Sequence, residues 1–592
     1  MKKLLTGNEA VARGAFEAGI TFSAAYPGTP STEILENIGP YKEHITAEWA
    51  PNEKVALESA IGASIVGARA LAAMKQVGVN VAADPLFSFA YTGSNGGIVL
   101  VSADEPGIHS SQNEQDNRNY AKFAKIPMVE PSDSQEAKDM VKSAIDISER
   151  FGTIVMLRMT TRICHSKGVV EFYNREEVDK KPYIKNPKKY ATTPAFARGM
   201  RVEIEKRLDK LREFADETDL NYFEWNDKKI GIISSGVAYQ HAKEVFGDSA
   251  SYLKLGFTFP LPMKKIRKFA SEVDKLYVIE EVEPYIEEQI KAEGIECIGK
   301  DKIPNIGELN ADIIREVLLD DKRDVIDCDT SDIVPRPPSL CAGCPHRGLF
   351  YELAKKKNII VTGDIGCYGL GVADPLNAVD TIICMGASVS AGHGAQKALN
   401  RYNDDMRAVA VIGDSTFFHT GMNSLLDIAY NRSNTVTIIL DNRTTGMTGH
   451  QDNPGTGYTL QGMPTKEVDI PRLCNAIGID NVKVVNPLKL EEVKGTLDWA
   501  LSLDEPSVIV TRWPCVLKRH SELDKEEFGD YVGLCKVDKD KCIGCKKCIK
   551  TGCPALHFDK KSNSVVIDKV QCVGCEICMQ VCPVDAIEKV GE

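Results

Sequence analysis

The sequence predicts a multidomain α/β protein of parallel sheets covered by helices, closed by a small cysteine-rich α+β module. Three observations carry that class. Strand and helix patterns alternate along most of the chain, the mark of parallel sheets with helices on both faces. A length of 592 residues exceeds what one hydrophobic core fills. Eight of the 18 cysteines fall between Cys542 and Cys582, at spacings suited to metal ligation rather than to disulfides.

The first region, 1–190, opens with the amphipathic helix GNEAVARGAFEAG, whose alanines allow close packing. ITFSAAYPGTP reads as a strand running into a Pro/Gly loop, and IVLVSAD and TIVMLRMTTR as buried strands. A second region, 191–330, starts with the charged helix VEIEKRLDKLREFADETD and continues as an α/β unit through KIGIISSG and KLYVIEE. The proline-rich SDIVPRPPSL, 331–340, reads as a linker. It opens a third α/β region, 331–535, before the cysteine-rich module, 536–592.

Composition narrows the function. A net charge of −12 argues against nucleic acid as a partner. No run of 18 uncharged apolar residues exists, so no membrane span is expected. The basic start MKKLL is followed at once by polar residues, which is not a signal peptide, and a cytoplasmic location is expected. In a reducing compartment the clustered cysteines read as iron–sulfur ligands.

Those cysteines form two runs, Cys542-Cys545-Cys548-Cys553 and Cys572-Cys575-Cys578-Cys582, each closed by proline. This is the bacterial ferredoxin pattern, in which the fourth cysteine of each run serves the other cluster. One [4Fe–4S] cluster is therefore assigned to Cys542, Cys545, Cys548 and Cys582, the second to Cys572, Cys575, Cys578 and Cys553. The first run has one extra residue before its last cysteine. Structural zinc is the competing reading, but zinc needs neither the third cysteine nor the Cys-Pro.

A source of electrons is read from VAVIGDSTFFHTGMNSLLDIAYNRSNTVTIILDNRTTG. One strand ends in Gly413-Asp414-Ser415, a helix follows, and a second strand ends in Asp441-Asn442. In such a βαβ unit both clusters emerge at the same carboxyl edge of the sheet. Asp414, Asn442 and the carbonyl of Thr444 then offer three oxygens to a Mg²⁺ that completes its shell with water and diphosphate. The spacing resembles the thiamine diphosphate motif, with Ser415 in place of a glycine and 25 residues between Ser415 and Asp441. A Gly-Asp turn beside an Asx turn is the alternative. Thiamine carries the electron-sink chemistry that decarboxylates 2-oxo acids, and clusters can take the released electrons singly.

The segments GNEAVARGAFEAG…YPGTPSTE, NEKVALESAIGAS, HSSQNEQDNR, LCAGCPHRG, GDIGCYGLG and the cysteine tail stand in this order. With them the chain resembles, end to end, the large (alpha) subunits of 2-oxoacid:ferredoxin oxidoreductases of the indolepyruvate type. The resemblance implies thiamine diphosphate-binding folds plus a two-cluster ferredoxin module. Its domains would be a pyrimidine domain (1–190), a transketolase C-terminal-like domain (191–330), a pyrophosphate domain (331–535) and a ferredoxin domain (536–592). It also implies CoA-dependent oxidative decarboxylation of aryl pyruvates (indolepyruvate, phenylpyruvate, hydroxyphenylpyruvate), a smaller beta subunit, an (alpha-beta)₂ assembly and ferredoxin as electron acceptor. The alternatives are another 2-oxoacid or a non-oxidative decarboxylase.

Alignment to the family places the glutamate that drives cofactor ionisation at Glu53, nine residues before Gly62, with Glu58 and Glu48 as competitors. Thr29 in YPGTPST stands where the family holds the substrate carboxylate. Arg158 and Arg162 are candidate carboxylate clamps or structural ion pairs. His109 and His346 are candidate polar groups near the thiazolium, and Gly413, Asp414, Ser415, Asn442, Thr444 and Cys367 are candidate cofactor contacts. Cys341, Cys344, Cys367 and Cys515 match in order the ligands of a third [4Fe–4S] cluster. In the competing reading Cys367 contacts thiamine or packs in a core.

Overall fold

The computed structural model describes residues 1–591 except 324–328, 330, 332, 335, 336, 519, 530 and 532. Positions 332, 335 and 336 of the expected linker thus lie outside the described residues. The chain divides into two compact units, Met1–Asp329 and Thr330–Glu592.

In the first unit the opening helix is Gly7–Glu17. Thr6 accepts the Glu9 N–H (3.2 Å) while Glu9 accepts the Thr6 N–H (2.7 Å), a reciprocal cap that satisfies two orphan donors. Ala10, Ala12 and Ala15 are buried. Gly14 lets the helix lie against Ser134–Phe151, since a Cβ there would stand 2.4 Å from the Lys138 carbonyl oxygen. Seven strands follow in the order Phe257–Phe259, Met128–Val129, Val155–Thr160, Ile98–Asp104, Ala70–Lys75, Phe22–Ala25, Thr46–Trp49. All neighbours pair parallel except Phe257–Phe259 with Met128–Val129. Ile98–Asp104 is buried at every position, as a strand covered on both faces must be.

The second region contributes the helix Pro194–Glu217 and a four-stranded sheet, ordered Lys275–Ile279, Ile230–Ser235, Ser251–Leu255, Asn221–Glu224. Its strand Phe257–Phe259 completes the first sheet, and Leu253, Phe259 and Ile266 share one core with Leu100 and Met156. Residues 1–190 therefore do not close a core by themselves.

The second unit holds six parallel strands, ordered Thr381–Ile382, Ile359–Gly363, Arg407–Gly413, Val436–Asp441, Ser507–Arg512, Asn481–Val485. Alternate side chains feed two cores. Val409, Val411, Ile438 and Leu440 face one, and Ala410, Ile412, Ile439 and Val510 the other. The chain leaves Ile359–Gly363 toward one edge and Arg407–Gly413 toward the other, so a topological switch point opens between their carboxyl ends. Ligands bind at such crevices in open α/β sheets.

The cysteine-rich end is built from two antiparallel pairs, Leu534–Val537 with Ile587–Val590 and Leu556–Asp559 with Ser564–Ile567. Among the described residues no helix is long and apolar enough to cross a membrane.

Candidate functional site

Each unit carries part of the predicted chemistry. In the second, Gly413 pairs with Leu440 across the parallel register, so the residues that follow both strands, Asp414 and Asp441-Asn442, emerge side by side. The Asn442 amide oxygen lies 2.8 Å from the Thr444 carbonyl oxygen and 3.1 Å from Asp414 Oδ1. In this amide orientation three oxygens face one another, while the Asp414 carboxylate also accepts the backbone N–H groups of Ser415 and Thr444. Turning the amide over would satisfy the protein alone, since amide orientation follows from the partners assumed. A cation explains the unturned form better. Neighbouring oxygens in an octahedron around Mg²⁺ bound at about 2.0–2.1 Å stand about 3 Å apart. The residues fit a hard cation.

The electrostatics agree. Burial and then the neighbouring Asp441 charge push the Asp414 carboxyl upward, a repulsion that a cation between Asp414 and Asn442 relieves. Asn453 Nδ2 donates to Asp414 Oδ2 at 3.1 Å, which turns Oδ1 toward Asn442. Asp441 is held aside by Arg512 Nε at 2.7 Å. Ser415 accepts from Thr445 Oγ1 at 2.9 Å. Gly413 has no space for a side chain, because a Cβ would stand 2.5 Å from the Tyr368 ring. The Tyr368 hydroxyl in turn donates to Ile365 O (2.8 Å) and lies 3.0 Å from the Thr416 hydroxyl, which can donate to it. His346 packs edge-on against Tyr368, and burial lowers its pKa to about 4, so the ring is neutral.

The four cysteines of the candidate third cluster influence one another electrostatically in this neighbourhood, although among the described residues no three His, Cys, Asp or Glu side chains stand together closely enough to hold a metal ion. Burial raises the Cys344 thiol to about 12 and the Cys367 thiol to about 11, and each is raised further by Cys515 and Cys341. The Cys515 thiol, raised chiefly by burial, also feels Cys341 and Asp414. The Cys515 N–H donates to Asn442 O at 3.0 Å, and a methyl placed on Gly446 would touch both Cys367 Sγ (3.8 Å) and Asn442 Nδ2 (3.5 Å).

The tail's cysteines separate into two cavities. One, about 320 Å³, is lined by Cys542, Cys545, Cys548 and Cys582. The other is lined by Cys553, Cys572, Cys575 and Cys578, together with Cys535, which belongs to neither run. Each cavity lining includes the four cysteines that the crossed reading assigns to one cluster. Backbone N–H groups point at sulfur in both, Ala586 to Cys582 Sγ at 3.2 Å and Cys535 to Cys572 Sγ at 3.4 Å.

In the first unit Glu53 begins the helix Glu53–Ile65, capped by Asn52, whose side chain accepts the Val55 N–H at 2.9 Å. Glu53 is buried, whereas Glu48 and Glu58 are exposed and Glu58 is paired with Lys54. Gly78 makes room for it, since a Cβ there would meet Glu53 Oε1 at 2.8 Å. Lys75, at the end of Ala70–Lys75, lies near two predicted residues, Glu53 and Thr29, and beside Glu105. Its Nζ is 3.8 Å from Glu105, it feels the Glu53 charge, and its side chain covers Gly28 beside the half-buried Thr29.

Arg158 forms the ion pairs of the second alternative: its guanidinium is buried against Asp104 (2.8 Å) and Glu130 (2.7 Å), with Asp116 at 3.7 Å, while Nη2 has no hydrogen-bond partner among the described residues. Arg162 does not end the strand. It sits in the following helix Thr161–His165 and pairs with Glu308 at 2.5 Å. His109 lies on an exposed loop, its Nε2 3.4 Å from Glu308. Sequence reading missed Lys75, Gly78 and Asn453. The strand-end lysine in ALAAMK was the only available signal among them.

Residues 13–221 match the pyruvate flavodoxin/ferredoxin oxidoreductase thiamine-binding family, 364–511 the C-terminal TPP-binding domain of thiamine pyrophosphate enzymes, and 535–589 the 4Fe-4S dicluster domain. Indolepyruvate oxidoreductase subunit IorA of Pyrococcus horikoshii is 42% identical over 100% of this chain and 97% of its own. The chain belongs to the IorA family. The IorA of Pyrococcus abyssi is 42% identical over 100% of this chain and 97% of its own, and that of Archaeoglobus fulgidus 42% over 99% and 97%. As an IorA relative the chain is an oxidoreductase of the thiamine diphosphate-dependent 2-oxoacid:ferredoxin class, with a dicluster ferredoxin domain at its end.

Proposed function

We propose that this chain is the large subunit of an enzyme that oxidatively decarboxylates aryl pyruvates, indolepyruvate among them, to arylacetyl-CoA and reduces ferredoxin. The observation that supports the reading is the approach of Asp414 Oδ1, Asn442 Oδ1 and the Thr444 carbonyl to one another, with the Cys515 N–H donating to the Asn442 carbonyl. Those oxygens would hold a Mg²⁺ for the cofactor diphosphate, and thiamine, when bound, would supply the electron sink that decarboxylation requires. The chain's own residues do the rest. Glu53 would hold and move the proton at the aminopyrimidine, and Thr29 with Lys75 would receive the substrate carboxylate. A smaller partner subunit and ferredoxin complete the reaction, in an (alpha-beta)₂ assembly. The aryl preference rests on the names of the relatives. Product analysis tests it. Indolepyruvate with CoA is expected to give the acyl-CoA with kcat/KM at least about tenfold above pyruvate and 2-oxoglutarate, a difference of about 1.4 kcal/mol. Equal or inverted ratios reject the aryl assignment, and release of free aldehyde without CoA consumption favours the non-oxidative alternative.

Cys341, Cys344, Cys367 and Cys515 are proposed to hold a third [4Fe–4S] cluster, which would accept electrons beside the cofactor and pass them to the tail. Three clusters mean about twelve irons per chain and two mean about eight. Cys341→Ser is then expected to lose about four irons and leave the tail's spectroscopic signals in place. Eight irons in fully active protein, with Cys341→Ser turning over normally, would reject it.

A further inference from the structure

Arg347 follows the CxxC motif and lies in the first turn of the helix His346–Leu353. Only 1% of it is exposed. Its Nη1 donates to Thr551 O, and its Nη2 to Leu340 O and Cys341 O, all at 2.8 Å, while Nε has no acceptor. No carboxylate pairs with it among the described residues. That sets it apart from the other deeply buried guanidinium groups. Arg118 is held by Asp116 and Glu280, Arg158 by Asp104 and Glu130, and Arg443 by Asp524. Burying an ion without a counter-charge costs several kcal/mol even when carbonyl dipoles surround it. The compensating negative charge must come from something else.

The surroundings identify it. Arg347 lines the cavity of Cys553, Cys572, Cys575 and Cys578. Its charge acts on Cys575 and on Cys344, against the burial that dominates both thiols. Gly552, next to Cys553, has φ +71°, and a Cβ there would stand 3.2 Å from Nη1, so no side chain intervenes between guanidinium and cluster loop. Among the described residues that line the other cavity, the exposed Lys546 is the one cation.

We propose that Arg347 is the fixed counter-cation of the cluster held by Cys553, Cys572, Cys575 and Cys578, and that its charge raises that cluster's reduction potential. The inference rests on the cluster reading of that cavity. A four-thiolate [4Fe–4S] cluster is dianionic when oxidised and gains one more negative charge with each electron received, here from the oxidised 2-oxoacid and passed on to ferredoxin. A nearby cation favours the more anionic, reduced form. Because the guanidinium is desolvated, salt screens it little. Its position also ties the loop before Cys553 to the CxxC backbone, which places one charge between the two groups of cysteines.

EPR-monitored redox titration of the full-length protein tests this, with iron and sulfide counted in every sample and the relevant wave identified by its loss in Cys575→Ala. Arg347→Gln with full iron is expected to lower that wave's one-electron reduction equilibrium at least tenfold, about 59 mV. Arg347→Lys is expected to keep it within about threefold of wild type. The wave of the Cys542, Cys545, Cys548 and Cys582 cluster stays put in both. An unmoved wave in iron-replete Arg347→Gln overturns the proposal, as does a Lys variant shifted as far as Gln. If the Gln variant loses the cluster, the Lys variant decides alone, and loss from both overturns it. A wild-type protein that binds no [4Fe–4S] iron after anaerobic purification refutes instead the cluster reading beneath it.

Discussion

Asp414→Ala is expected to abolish magnesium-dependent thiamine diphosphate binding while every iron in the C-terminal module remains. Asp414 is the single carboxylate among the three facing oxygens, with Asn442 3.1 Å from its Oδ1 and Asn453 orienting its other oxygen. Removing it leaves two neutral oxygens, too few to displace water from Mg²⁺. Mutating even an outer-shell partner of a metal costs about 10–100-fold in affinity, so loss of the anionic ligand itself is expected to exceed about 100-fold. Asn442→Ala removes the central oxygen of the three and is expected to do the same. The tail's two cavities share no lining residue with this group, which is why the iron count is the control. Calorimetric titration with Mg²⁺ and thiamine diphosphate reads the effect. Binding in Asp414→Ala within a few-fold of wild type would place the cofactor elsewhere.

Glu53→Gln is expected to separate binding from ionisation. The substitution keeps size and hydrogen-bonding capacity at a buried position, and Gly78 leaves the neighbouring space unchanged. Cofactor affinity should therefore hold, while exchange of the thiamine C2 proton, followed by NMR in D₂O, slows by about 10²–10⁴, the usual worth of a positioned acid–base group. Glu58→Gln and Glu48→Gln act at exposed positions and should exchange at the wild-type rate. Wild-type exchange in Glu53→Gln would move the role to another residue.

Features set by short-range pattern were legible in the sequence. The Asp414–Asn442–Thr444 oxygens follow from one βαβ unit, because parallel pairing fixes which residues leave neighbouring strands together. The crossed grouping of tail cysteines follows from the spacing of two similar runs. The grouping of Cys341, Cys344, Cys367 and Cys515 required a family pattern, since no local spacing joins residues so far apart in the chain. What failed was anything decided by distant partners. The sequence left Arg158 open between a carboxylate clamp and a structural ion pair, because the carboxylates beside it, Asp104 at the end of the neighbouring strand and Glu130, are distant in the chain. Arg162 was assigned to a strand that bends into a helix one residue before it. Arg347 carried no signal at all, because what distinguishes it is the lack of a carboxylate within reach. Residues 1–190 read as self-contained, but a strand at Phe257–Phe259 finishes their sheet, and such an edge addition leaves no mark in the first region's own pattern.

The central claim is that chemistry at the Asp414 group feeds electrons to the cysteine-ligated clusters. Anaerobic addition of indolepyruvate and CoA to the complete enzyme, followed through the visible absorption of its iron–sulfur clusters, tests it directly. Wild type is expected to bleach as the clusters are reduced and to recover when ferredoxin is added, whereas Asp414→Ala, with equal iron, stays oxidised. Bleaching of Asp414→Ala at the wild-type rate, or a wild-type spectrum untouched by indolepyruvate while decarboxylation proceeds, would contradict the account.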